Sequence, residues 1–241
     1  METTRVYIDG FNLYYGLLQS QQLHWLDLNE FSVRLNRGEP VQRIIYCTAR
    51  VSGTPSDSAK PDRQDAYLRA VKIACPNVDI VFGNFSTQKK SYPLVKCRND
   101  PTCAIRVVVR TEKGSDVNLA THLLHDAHMN RFDRAIVVSG DSDLVGTIDI
   151  VAKTLGKTVW VRNPRDRDSA ELQAIATDYG RIRPAVALAS QLPQTVTDGT
   201  KRYSKPVEWS QARTASTKRI INHWNCTQAD CAKLFEPFRY E

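Results

Sequence analysis

Two short apolar runs, each leading into a turn that carries acids, constrain this chain most. Arg5-Val6-Tyr7-Ile8 runs into Asp9-Gly10-Phe11-Asn12, and Ala135-Ile136-Val137-Val138 runs into Ser139-Gly140-Asp141-Ser142-Asp143. Brief β-branched runs bounded by Gly, Ser and Asp read as buried strands. A helical period follows the first, in Phe11, Leu13, Tyr14, Leu17 and Leu18, and a second helix is expected over residues 141–155. Strand then helix, repeated, argues for an α/β fold with a mostly parallel central sheet and helices on both faces. Ligand sites in open sheets of that kind form beyond the carboxyl ends of the strands, where both sets of acids stand.

The same alternation extends along the chain. Strands are expected over residues 5–8, 41–51, 78–82, 135–139 and 158–161, with further helices over 28–35, 63–74, 116–129 and 169–177. Asn29 is the expected N-cap of the 28–35 helix and Ser169 or Asp168 that of the last helix, while Gly156 closes the 141–155 helix. The stretch from Phe85 to Arg110 breaks the alternation. It reads as an inserted hairpin, Tyr92 to Lys96 pairing with Ile105 to Arg110 across the turn-forming Arg98-Asn99-Asp100-Pro101-Thr102. Past Pro184, residues 185–192 and 201–204 read as two strands around Thr197-Asp198-Gly199. The expected organisation is a domain over 1–184, a β-hairpin element over 185–209 packing on it, and a C-terminal appendage over 210–241 without a clear apolar period.

With 241 residues, 41% of them hydrophobic, the chain can build a proper core. No apolar run nears the ~20 residues of a membrane span, and Met1-Glu2-Thr3-Thr4 enters a strand without a signal-peptide pattern. The expectation is a cytoplasmic protein with no membrane partner. A formal charge of +7, with acids gathered at one point, leaves basic surroundings, a balance that suits an enzyme acting on a polyanion. Of the six cysteines, Cys47 and Cys75 fall at apolar positions and read as packed thiols. Cys97, Cys103, Cys226 and Cys231 could join in a structural Zn²⁺ site. Neither pair has the Cys-x-x-Cys spacing, however, and free or packed thiols are the favoured reading. His122, His125 and His128 recur every three residues with no Glu-x-x-His beside them, and read as surface or half-buried side chains rather than ligands.

A third acid, Asp116, opens a helix after Glu112-Lys113-Gly114-Ser115. Asp9, Asp141 and Asp143 are the expected ligands of a hard dication such as Mg²⁺, with Asp116 as a further ligand or a water-orienting base. Such a cation polarises a phosphate and acidifies a bound water. Asn12 and Ser139 can orient a carboxylate or meet a phosphate oxygen. Each of Asp9, Asp116 and Asp141 also stands where a carboxylate caps or complements a helix. What favours the functional reading is that three such turns would crowd like charge together unless a cation lay among them. Lys113 could bind a phosphate or balance these acids. Lys89, Lys90, Arg98 and Arg110 could line a nucleic-acid groove or form a solvated loop. Tyr14, Tyr15 and Trp25 could stack bases, although a core or interface role is favoured.

Taken together, Tyr7-Ile8-Asp9-Gly10-Phe11-Asn12-Leu13, Glu112-Lys113-Gly114-Ser115-Asp116 and Val138-Ser139-Gly140-Asp141-Ser142-Asp143 resemble the NYN domain family, which is similar to the PIN-domain nucleases and shares their fold. The likeness spans roughly residues 4–180, and Gln191-Leu192-Pro193 with Lys205-Pro206-Val207-Glu208-Trp209 looks like a C-terminal element of some bacterial members. The resemblance implies a PIN-like three-layer α/β/α fold with strand order 3-2-1-4-5. It also implies a metal-dependent ribonuclease site whose acids fall on Asp9, Asp116, Asp141 and Asp143, with an asparagine on Asn12. The expected function is an endoribonuclease that uses Mg²⁺ or Mn²⁺ to cleave single-stranded or structured RNA. A non-catalytic RNA-binding or regulatory adaptor, whose acids only cap helices, stays open. So do a deoxyribonuclease with the same site and a homodimer.

Overall fold

The structure, a computed structural model, describes residues 2–93 and 104–210. The chain starts with β1 (Thr4–Asp9) and α1 (Gly10–Leu13), which continues through a π turn at Tyr14–Leu18 into α2 (Gln19–Gln21). Next come α3 (Leu28–Leu35), β2 (Arg43–Ala49), α4 (Lys60–Ala74), β3 (Val78–Pro93), β4 (Ala104–Lys113) and α5 (Ser115–His128). After β5 (Arg134–Val138), a 3-10 turn at Ser142–Leu144 opens α6 (Val145–Asp149), which ends in a π turn at Ile150–Thr154. The rest comprises β6 (Thr158–Asn163), α7 (Ala170–Ile175), β7 (Asp178–Arg181), α8 (Pro184–Leu188) and a small hairpin of β8 (Thr195–Thr197) and β9 (Arg202–Ser204).

Seven strands form one sheet in the order β4-β3-β2-β1-β5-β6-β7, parallel throughout except for the antiparallel β3–β4 pair. The five strands expected from sequence keep the implied order, now β3-β2-β1-β5-β6. β1 lies among them, with Asp9 opposite Cys47 of β2 and Ile8 opposite Val138 of β5. Side chains alternate across a pleated strand. Val6, Ile8, Ile44, Tyr46, Ile136 and Val138 therefore enter one core, and Tyr7, Ile45, Cys47, Ala135 and Val137 enter the other. Leu13, Leu28, Phe31, Leu68 and Ala187 cover the first face, and Leu119, Leu123, Ile148 and Leu172 cover the second. The result is a PIN-like α/β/α sandwich whose central strands are buried on both sides, which is why they read as unbroken apolar runs.

Several expectations are corrected. The third strand does not stop at Phe82. It runs on to Pro93 and pairs with β4 from Asn84↔Lys113 to Pro93↔Ala104, so the expected hairpin, with Tyr92 opposite Ile105, is longer and continuous with the sheet. Residues 83–92 contain no proline, and Phe85, Thr87 and Tyr92 suit a strand. The N-cap of α3 is Asp27, whose Oδ1 accepts from the Asn29 and Glu30 N–H groups, while Asn29 Oδ1 accepts from Asn77 Nδ2. The expected strand over 185–192 is a helix instead, because Pro184 pre-sets the first turn and the alanines favour it. A further parallel strand, β7, lies beyond β6. Ser169 does cap α7, with Oγ accepting from Leu172 N, and Gly156 takes the left-handed conformation expected after the 141–155 helical stretch (φ +64°).

Beyond β7 the chain returns to the first core, burying Ile182, Ala187, Leu192 and Val196. The Trp25 indole donates to Pro193 O at 2.8 Å, and Leu192 N donates to Trp25 O at 2.9 Å. Trp25 is fully buried, a core residue. Cys47 and Cys75 are buried free thiols. Cys97, Cys103, Cys226, Cys231 and Arg98 lie outside the described residues. Among the described residues no helix is long and apolar enough to cross a membrane.

Candidate functional site

The sheet brings the two acidic turns together because β1 and β5 are adjacent and parallel, so both end at the same edge. Asp9 is 3% exposed. Its Oδ1 accepts from Asn12 N at 2.9 Å and its Oδ2 from Ser139 Oγ at 3.1 Å. Ser139, fully buried, also accepts from Asp141 N at 3.1 Å, and Asp141 Oδ1 in turn accepts from Asp143 N at 3.1 Å. Asn12 crosses between the turns, its Oδ1 accepting from Gly140 N at 3.1 Å. Asp9, Asn12, Ser139 and Asp141 thus form one hydrogen-bonded unit. Asp9 and Asp141 each cap a helical turn with one oxygen.

Asp116 does not cap. That work falls to Glu112, whose Oε1 accepts from both Ser115 N and Ser115 Oγ at 3.0 and 2.7 Å. Gly114 makes the tight entry with a φ of +94°. Asp116 is left half-buried, facing the other acids. Burial, with the charges of Asp9, Asp141, Glu112 and Asp143, pushes it up to about 6. Burial also raises Asp9, with Asp141 adding to the rise and the Asn12, Ser139 and Arg165 contacts opposing it. The neighbouring Cys47 thiol is pushed up to about 12 by burial and by the charges of Asp9, Asp116 and Glu112, so it stays protonated. Asp143 is exposed at the rim. Among the described residues no three His, Cys, Asp or Glu side chains close into a ready-made metal cluster. The acids act on one another by charge across the edge rather than clasping a point. Their donor set is nonetheless all oxygen, which suits a hard dication.

The basic candidates divide. Lys113 is exposed at the end of β4, next to the Gly114 turn. Lys89 and Lys90 are exposed and pair with Val108 and Val107. At about 3.3 Å per residue, Lys89 lies roughly 17 Å out from Asn84, which faces Lys113. These lysines are not gathered at the acids. Arg110 stands opposite Thr87 in β4, and its side chain lies outside the described part. His122 is half-buried, and His125 and His128 are exposed.

Two residues of this edge escape sequence reading. Arg165 donates through Nε to Asn12 Oδ1 at 3.0 Å, and its backbone N donates to Asn163 Oδ1 at 2.8 Å. Asn163, fully buried, donates to Arg167 O and to the Tyr179 hydroxyl. Asn163 ends β6 and Pro164-Arg165 follow it, so the one available signal is their place at the same carboxyl edge as the acids.

The NYN domain model matches residues 3–182, three quarters of the chain. The chain belongs to the NYN domain family. NYN domains are PIN-like and nuclease-type. A curated relative of this NYN protein, 6-hydroxy-3-succinoylpyridine 3-monooxygenase HspA of Pseudomonas putida (strain DSM 28022 / S16), is 26% identical over 234 residues, spanning 86% of this chain and 75% of its own. Among solved structures, VPA0982 of Vibrio parahaemolyticus RIMD 2210633, a protein of unknown function, gives a TM-score of 0.46 at 19% identity, over 76% of this chain and 93% of that one. MurG of Acinetobacter baumannii gives 0.33 at 11% identity, over 79% of this chain and 43% of its own. At these scores neither structure bears on chemistry.

Proposed function

We propose that this NYN protein is a cytoplasmic, metal-dependent endoribonuclease that hydrolyses RNA at the shared carboxyl edge of β1 and β5. The supporting observation is that β1 and β5 end side by side, joining Asp9 and Asp141 through Ser139 in one hydrogen-bonded unit beside Asp116, which burial first and then four neighbouring carboxylates raise to about 6. Like charge held in one place is what a dication relieves. Asp9, Asp116, Asp141 and Asp143 would hold Mg²⁺ or Mn²⁺, and that cation would polarise the scissile phosphate and acidify a water. The chain's own residues orient and balance. Ser139 Oγ steadies Asp9. The Gly140 amide and Arg165 fix the Asn12 carbonyl oxygen, which leaves the Asn12 amide nitrogen to donate to a phosphate oxygen. Arg165 supplies positive charge beside the acids, and Lys113, three residues before Asp116, would meet a phosphate of the RNA. The domain that does this takes residues 1–184, braced by the 185–209 element.

The test is cleavage of labelled mixed-sequence RNA by the wild type and by Asp141→Asn, with Mg²⁺, with Mn²⁺ and with EDTA. We expect cleavage that requires both metal and Asp141, with RNA binding retained in the variant. Cleavage that survives either removal sinks the reading. Binding without cleavage under any condition moves it to the adaptor. A second reading takes its support from the curated relative, whose name gives it a pyridine substrate and an oxygenation. Turnover of that pyridine by the purified chain, with RNA left intact, would favour it.

A further inference from the structure

On the α1 side of the acids the structure opens a half-enclosed pocket of about 110 Å³, lined in part by Phe11, Tyr14, Tyr15, His24, Tyr67 and Trp209. That is several times the roughly 10–15 Å³ a single water requires, and leaves room for a planar ring. The rings form a continuous track. Phe11, two residues from Asp9, meets Phe85 edge-on at 5.7 Å and stacks on Tyr15 at 6.2 Å. Tyr15 meets Tyr14 at 5.1 Å, Tyr14 meets His24 at 5.4 Å, and His24 meets Trp209 at 5.1 Å. Tyr67 is buried in the first core, and Tyr14 and Trp209 pack against it. Here Tyr15 is 57% exposed, and Phe11, Tyr14, His24 and Trp209 are half-buried. The track also shares a wall with the acids, since Gly10 and Tyr46 line the pocket and Tyr46 feels the charge of Asp9.

Two polar groups in this pocket are unspent. His24 Nδ1 is buried with no hydrogen-bond partner, which in a native fold calls for an explanation. Lys60 makes no ion pair among the described residues, whereas its neighbour Arg63 is already held by Asp57 at 2.5 Å and Glu208 at 4.0 Å. Gln64 is committed too, bonding Val51 N and Ala49 O. Burial, with Lys205 and Arg63 nearby, lowers His24 to about 4, so at neutral pH it is an uncharged ring with one accepting nitrogen.

We propose that this pocket is a binding subsite for a planar heteroaromatic ring carrying an anionic group. The ring stacks among Tyr14, Tyr15 and Trp209, its polar edge meets the His24 imidazole, and its anion meets Lys60. The subsite stands on its own geometry and rests on the nuclease reading only for its natural occupant, a nucleotide of the bound RNA with its base and phosphate. A free heteroaromatic carboxylate offers the same chemistry. The test is calorimetric binding of adenosine monophosphate, uridine monophosphate, adenosine and pyridine-3-carboxylate to Asp141→Asn in EDTA, so that loss of cleavage cannot affect the outcome. Lys60→Gln and Trp209→Phe are measured alongside Trp209→Ala, with melting temperatures to exclude unfolding. We expect one class of anion to bind, Trp209→Ala to weaken it roughly ten- to hundred-fold, and Trp209→Phe to restore most of the loss. Lys60→Gln should weaken the anion several-fold while leaving adenosine unchanged. Nucleotide binding alone assigns the subsite to RNA, and binding of the carboxylate alone assigns it to a small aromatic acid. No binding by either class, or binding indifferent to both Lys60→Gln and Trp209→Ala, overturns the proposal.

Discussion

Asp9 and Asp141 each spend one oxygen on a helical turn, while Asp116 is spared by Glu112. Capping and function are therefore not alternatives at this edge. The cap takes one oxygen and leaves the other, which at Asp9 accepts from Ser139 Oγ. Asp116 caps nothing, and burial first, then the charges of Asp9, Asp141, Glu112 and Asp143, disfavour its charged form. Its folded value, about 6, lies above the ordinary 3.8. Between those values the unfolded chain has already lost a proton that the folded chain keeps, so stability falls as pH rises through this window and stays low above it. Asp116→Asn should therefore stabilise the EDTA-treated protein at pH 7.5 by about 1 kcal/mol after solvent screening, a Tm rise of roughly 2–4 °C. The difference should close near pH 4. Thermal melts at both pH values check this, and a variant that melts lower at pH 7.5 would contradict it. Gly140 is the second residue with a narrow role. A Cβ there would overlap Asn163 Oδ1 and come within 3.3 Å of Arg165 Cδ. Gly140→Ala is expected to cost about 1–3 kcal/mol and to lower cleavage, because it pushes apart the Asn163–Arg165–Asn12 lock. Denaturant melts and cleavage rates measure the two effects.

Among the elements, the β3–β4 ribbon extends the third strand well past the Phe82 bound expected from sequence. Its base, at Asn84 and Lys113, leads into the Gly114 turn ahead of Asp116, while Lys89 and Lys90 sit farther out. Phosphate contacts made there would position RNA without touching the chemistry. Charge reversal at Lys89 and Lys90 should weaken RNA binding and flatten its dependence on salt between about 50 and 200 mM. Cleavage at saturating RNA should stay near the wild-type rate. Filter binding with single-turnover kinetics separates the two, and a lost rate at saturation would place the ribbon inside the reacting site. The α1 segment works differently. Its π turn at Tyr14–Leu18 adds a residue to the helical repeat and turns Tyr14 and Tyr15 into edge-on contact beside the pocket.

Across the molecule, the segment after β7 belongs to the core as firmly as the strands do. Leu192 is 4% exposed in the first core, and the Trp25–Pro193 and Leu192–Trp25 bonds tie it to the chain's first quarter. Leu192→Ala should destabilise the protein by about 2–5 kcal/mol, as much as a truncation in β1 would. Urea unfolding tests this, and a loss below 1 kcal/mol would mean that the segment only drapes the domain.

Strand and helix order, the two acidic turns and the three-layer fold were legible in sequence, because each is written in residues that are neighbours along the chain. Apolar runs such as Ile136-Val137-Val138, and acids before helical periods, survive any change of surroundings. The element boundaries that went astray, Asp27 for Asn29 and a helix for a strand at 184–188, turned on local competition between near-equal choices. What folding alone could arrange is of another kind. Arg165 reaches Asn12 across 153 positions, and Trp209 reaches His24 and Tyr67 from the far end of the domain. Contacts between distant segments leave no periodic trace, because either side chain alone looks like an ordinary surface arginine or a spare tryptophan. They are set when the sheet orders its strands and brings the carboxyl ends of β1, β5 and β6 to one edge.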